Sequence, residues 1–155
     1  MSFLIHALPA EPYRELFSMT DDALHDRRAR RIAVTGKPGF PCRVSLADAE
    51  IGETVILVHH EHQPADTPYH AGHAIFVRED AAQARPGLGE VPDVLRSRLI
   101  SVRGFDTDHM MIAADVVAGE DLAQTIERVF EDSAVSYIHL HNAKPGCFAA
   151  SVTRG

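Results

Sequence analysis

The residues best suited to chemistry lie near the C-terminus, in the run VSYIHLHNAKPGCFAASVTR. Strand alternation puts Ile138 and Leu140 on one face and Tyr137, His139 and His141 on the other. Beyond the turn formers Asn142, Pro145 and Gly146, a second strand would set Phe148, Ala150 and Val152 opposite Cys147, Ala149 and Ser151. Joining the two apolar sets calls for an odd-length turn centred on Lys144, so that His141 faces Cys147 and His139 faces Ala149. Cross-strand neighbours of this kind have Cβ atoms about 5 Å apart. An imidazole at that distance takes the thiol proton or, as imidazolium, stabilises the nucleophilic thiolate. Cys147, His141 and His139 are therefore the candidate catalytic residues. The competing reading packs Cys147 as a small apolar residue and leaves the histidines on a polar sheet face. Asn142, the next residue after His141, points to the opposite side of the strand.

Histidine occurs ten times in 155 residues, clustered at His59, His60 and His62, at His70 and His73, and at His139 and His141. His60 and His62 share one strand face, as His139 and His141 share theirs. If the two strands were neighbours, four imidazoles would converge as ligands for zinc or another borderline metal. No HExxH or paired CxxC accompanies them, and half-buried histidines at strand ends explain the same pattern. Near the rigid turn KPGFP, Arg43 offers a guanidinium fork to an anionic ligand and Cys42 a second thiol. Tyr69 is either a pocket hydroxyl or a loop aromatic packed on the core. Arg43, Tyr69, Asn142 and Cys42 thus form the candidate ligand-binding set around His139, His141 and Cys147. Arg27, Arg28, Arg30 and Arg31 read as a solvated helix end or as an anion-binding patch.

The elements that must position these groups follow from periodicity. The spacing predicts strands at 2–7, 53–62, 73–78, 99–103 and 110–117, then the hairpin 135–141 and 147–153. Thr20 followed by Asp21 and Asp22 starts a helix that should end among the arginines. Pro92 opens a helical turn, and Leu122, Ile126, Val129 and Phe130 form the stripe of a main helix over 120–131. The fold class is α+β: a largely antiparallel sheet, one main C-terminal helix and short N-terminal helices. Strand, helix and strand in succession near the C-terminus allow one parallel pair. With no repeat, linker or low-complexity tract, residues 1–155 read as a single domain.

Composition bounds the function. A chain that is 45% hydrophobic and 24% charged is globular. A net charge of −7 argues against nucleic acid as a partner and for a small molecule or a protein. The start MSFLIHALPAEPYRE has neither a basic region nor a long apolar run, and no stretch reaches bilayer length. The expected location is the cytoplasm, where the two cysteines stay thiols. No phosphate-cradling glycine loop or GxSxG elbow occurs, so nucleotide and serine-hydrolase readings have no support.

Three segments, PGFPCRVSLADAEIGE, TPYHAGHAIFVRE and YIHLHNAKPGCFAASVTR, resemble the bacterial domain-of-unknown-function family DUF1203 over nearly the whole chain. HNAKPGC and PCRVSLADA carry the likeness most specifically. The resemblance implies a bacterial protein of one domain, with no assigned activity and no catalytic residues to transfer. The chain departs from the family pattern at Gly72-His73-Ala74, where Gly-Pro is usual, so the resemblance gives His73 no role. Three readings follow: a Cys147–His141 thiol site with Cys42 as redox partner, a histidine-held zinc, and a non-catalytic ligand-binding or interaction module.

Overall fold

A computed structural model describes residues 2–155. In chain order the elements are β1 (Phe3–His6), α1 (Glu11–Arg14), α2 (Asp21–Asp26), β2 (Ala29–Ala33), β3 (Pro41–Cys42), β4 (Ala47–Asp48) and β5 (Thr54–Gln63). Then follow β6 (Ala71–Arg78), α3 (Asp93–Arg96), β7 (Leu99–Phe105), β8 (Met111–Ala118), α4 (Leu122–Phe130), β9 (Tyr137–Asn142) and β10 (Phe148–Arg154). The class is α+β, with strands that are mostly antiparallel and α4 as the longest helix. No helix among the described residues is long and apolar enough to cross a membrane. Two compact units divide the chain. One holds the residues through His6 with Glu61–His73 and Arg85–Gly155, the other Ala7–His60 and Ala74–Ala84.

The first unit is built on an antiparallel sheet in the order β1-β10-β9-β7-β8. One of its faces carries Ile100, Val102, Ile138, Leu140, Ala150 and Val152, all fully buried. Helix α4 contributes Leu122, Ile126 and Phe130, also buried, and packs on β7 and β8. That stripe is the one the helical spacing predicts, because a 3.6-residue period sets these side chains on one side. At the end of the chain Arg154 holds the helix terminus, donating to the Phe130 and Asp132 carbonyls at 3.0 Å each. Its guanidinium also lies 4.6 Å from the Phe130 ring centroid.

The second unit gathers Leu24, Ala29, Cys42, Val44, Ile56, Val58, Ile75 and Val77 into its core. The associated sheet runs β2-β5-β6-β3-β4. As expected, Thr20 caps α2, accepting from the Ala23 amide at 3.2 Å. The helix does not extend into the arginines, however. It stops at Asp26, Arg28 turns the chain with φ of 52°, and Arg30 and Arg31 lie on β2. A left-handed residue cannot continue a right-handed helix. The parallel pair lies elsewhere than predicted: β9 joins β7 antiparallel, and β3 runs parallel to β6 with Cys42 opposite Phe76.

The C-terminal hairpin corrects the predicted register. Leu140 pairs with Ala150 and Ile138 with Val152, but His141 pairs with Phe148 and His139 with Ser151. Ala149 is an extra residue on β10, a bulge that reverses the alternation at that point. The apolar sets still meet beyond the bulge, so burial of one face is kept. Before it, Phe148 turns to the histidine face, and Cys147 is no longer the residue opposite His141.

The approach to α4 is equally constrained. A Cβ on Gly119 would lie 2.0 Å from the Leu95 carbonyl oxygen, whereas one on Gly36 would meet nothing within 4 Å. Gly119→Ala is expected to cost about 2 kcal/mol or more, and Gly36→Ala to stay within about 0.5 kcal/mol. Urea midpoints of the two variants check this, and equal midpoints would contradict it.

Candidate functional site

On the face of the first unit's sheet away from Ile138 and Leu140, the register lines up three cross-strand pairs: Ser101 with His141, Arg103 with His139, and Phe105 with Tyr137. The sequence alternation that put Tyr137, His139 and His141 on one face is realised here. His62, near the end of β5, completes the cluster: its ring centroid lies 4.7 Å from that of His141 and 6.0 Å from that of His139. Phe148, brought over by the bulge, stacks on His62 at 5.5 Å with 8° between planes. Phe105 stacks on Tyr137 at 5.3 Å and lies 5.1 Å from His139. Aromatic rings therefore surround the imidazoles on several sides.

His141 is 1% exposed and His139 7% exposed. The His141 Nδ1 lies 3.0 Å from the Gly146 carbonyl oxygen. Because a carbonyl only accepts, Nδ1 carries the proton, and the Nε2 lone pair faces the Arg103 Nη1 at 3.5 Å. Burial pushes the His141 imidazolium down to about 3, against a partial offset from the Gly146 carbonyl. The charges of Arg103, His62 and His139 lower it further. The ring is thus neutral in any ordinary medium. Burial also lowers Arg103, which stays a cation because guanidinium titrates so high. Its Nε donates to Ser101 Oγ at 3.1 Å.

Cys147 is 7% exposed, and its sulfur lies 3.6 Å from Asn142 Nδ2. The Asn142 backbone N–H also donates to the Cys147 carbonyl at 2.9 Å. Asn142 Oδ1 is buried with no hydrogen-bond partner among the described residues. Turned over, that amide would let Oδ1 accept a thiol proton, a geometry that suits a neutral thiol. The pair that sequence reasoning drew between Cys147 and His141 thus becomes one between Cys147 and Asn142. The reason is the bulge, which an uninterrupted ladder does not foresee.

The remaining candidates divide between the units. Tyr69, in the first, sets its ring edge-on to Phe105 at 6.1 Å. His60 belongs to the second, where Nδ1 lies 3.5 Å from the Tyr13 hydroxyl. Arg43 and Cys42 are there too, 2% and 1% exposed. The Arg43 guanidinium donates to the Pro41 carbonyl, and Cys42 Sγ accepts from the Ser45 and Arg78 amides at 3.4 and 3.3 Å. Neither cysteine is joined in a disulfide. Of the four proposed zinc ligands, His62, His139 and His141 cluster in one unit. No group of three or more His, Cys, Asp or Glu among the described residues is arranged to hold a metal ion.

Sequence reasoning missed Arg103, Phe148, Gln63 and His109. Gln63 donates to the Tyr137 hydroxyl at 2.9 Å, and His109 Nδ1 lies 2.7 Å from the same oxygen. Arg103 carried one usable signal, its alternation with Ser101 in a strand otherwise apolar on the other face.

The His141 shift gives a pH prediction with a fixed sign. Its unfolded value is 6.5 and its folded value about 3, so between these limits the unfolded chain binds the extra proton. Stability from this group is full above 6.5 and falls as pH drops through the window. Between about pH 7 and about pH 5 the wild type should lose about 2 kcal/mol more than His141→Asn. That variant keeps a δ donor for Gly146 but cannot titrate. Urea unfolding at the two pH values measures the difference, and parallel losses would refute the neutral buried ring.

Compared with known proteins, the chain matches the family model described as protein of unknown function (DUF1203) over residues 39–154. No curated protein and no solved structure matches it.

Proposed function

We infer, from the premise that the chain belongs to the DUF1203 family, that it is a non-catalytic binding module. In this reading the histidine–aromatic cluster is a packed pin within the first unit rather than a thiol or zinc centre. The observation that carries it is the state of His141: buried, neutral, its Nδ1 proton donated to Gly146 and its Nε2 turned to Arg103. A ring that takes up no second proton above about pH 3 supplies no imidazolium to stabilise a thiolate. The proximity of Cys147 to Asn142 supports the same view, since an amide is no base. A net charge of −7 favours a small molecule or a protein over nucleic acid as partner, and the cytoplasm is the compartment we assign.

The test is alkylation by iodoacetamide, mapped by mass spectrometry. Cys147 in the folded protein is expected to react only as fast as the chain opens, with the same rate in zinc and in chelator and no slower rate in His141→Asn. Fast reaction near neutral pH that slows in His141→Asn would restore the thiol site. Protection by zinc would restore the metal site.

A further inference from the structure

The four arginines after α2 are not equivalent. Arg27 bonds Glu15 at 3.2 Å, and Arg31 bonds Asp21 at 2.8 Å and the Met19 carbonyl at 2.8 Å. Arg28 makes no side-chain hydrogen bond or ion pair among the described residues, and Arg30 meets only His25 Nδ1, at 3.4 Å. Two guanidinium groups close in sequence thus stand without a carboxylate, in a chain whose net charge is −7. An acidic chain has ample carboxylates to neutralise them, as it does for their two neighbours.

Both line one cleft of about 400 Å³ in the second unit, together with His25, His59, Leu57 and Ala74. No carboxylate lines it. The volume falls in the range of small-molecule sites. Local structure explains the convergence. Arg30 pairs with Leu57 across β2 and β5, so cation and aliphatic side chain share a face. Arg28 takes the left-handed conformation that reverses the chain between α2 and β2. Its carbonyl accepts from the His59 amide at 3.3 Å, which ties that turn to β5. Glycine or asparagine would suit such a backbone better, so an arginine there is a departure from local preference.

We propose that this cleft binds a small organic anion, a carboxylate or phosphate carried on an apolar body. The head group takes the guanidinium forks of Arg28 and Arg30, whose planar donors match an oxyanion, while the body lies on Leu57 and Ala74. The proposal deepens the binding-module reading, and the two fail separately: thiol reactivity overturns the first, and the arginine variants decide the second.

The experiment is isothermal titration of the full chain with α-naphthyl phosphate, α-naphthol and inorganic phosphate. The ester should bind about tenfold or more tighter than either part, and more weakly as salt rises from about 20 to about 300 mM. Arg28→Asn combined with Arg30→Thr should reduce ester affinity by about tenfold or more, and Arg27→Ala should leave it unchanged. Asn tolerates the left-handed turn, and Arg30→Thr alone, with a folded circular-dichroism spectrum, gives the reading if the double variant unfolds. Unchanged affinity in Arg30→Thr, α-naphthol binding as tightly as its phosphate, or no saturation by the ester in the millimolar range would overturn the proposal.

Discussion

The hydrogen bond from His141 Nδ1 to the Gly146 carbonyl spans the turn between β9 and β10, beside the bulge at Ala149. An unpaired imidazole proton at this depth would cost about 1–3 kcal/mol, so the carbonyl is needed wherever the ring is buried. Gly146 supplies it from a backbone with φ of 81°, which a residue with a Cβ rarely adopts. The bulge then sends Phe148 to the histidine side, where it stacks on His62 and lies 5.8 Å from His141. Ring, turn and bulge therefore support one another. With the bulge removed, Phe148 would turn to the side of Leu140, and the histidine rings would lose an apolar wall.

The same arrangement fixes what the cluster can do. A neutral His141 is tolerable beside a guanidinium, whereas a charged ring there would repel Arg103 at short range. Burial favours the neutral form of His141 and leaves its Nε2 as an acceptor for Arg103. A neutral, hydrogen-bonded ring aligns a strand pair well and activates a thiol poorly. Arg28 and Arg30 of the second unit are the opposite case, exposed cations with no carboxylate partner among the described residues.

Much of this was legible in the chain. β-Branched and alternating runs marked β5, β7 and β8, the stripe from Leu122 to Phe130 marked α4, and Thr20 marked the start of α2. The shared face of Tyr137, His139 and His141 followed from the two-residue period alone. What failed was pairing across strands. A bulge adds one residue without altering the composition of either strand, so an apolar match over Ala150 and Val152 gives no sign that Phe148 and Cys147 change sides. Arg103 became part of the site only through its placement beside β9, which local sequence does not encode. Likewise the arginines at 27–31 read as a helix end, because nothing local revealed that Arg28 turns the chain.

The central claim is that His141 is a neutral Nδ1–H tautomer held by Gly146. Long-range nitrogen–proton correlation spectra of uniformly ¹⁵N-labelled protein, followed across pH, address it directly. The account predicts one protonated nitrogen, Nδ1, with no titration of His141 down to about pH 4.5. A ring that gains its second proton near pH 6.5, the value for an unperturbed histidine, would contradict it.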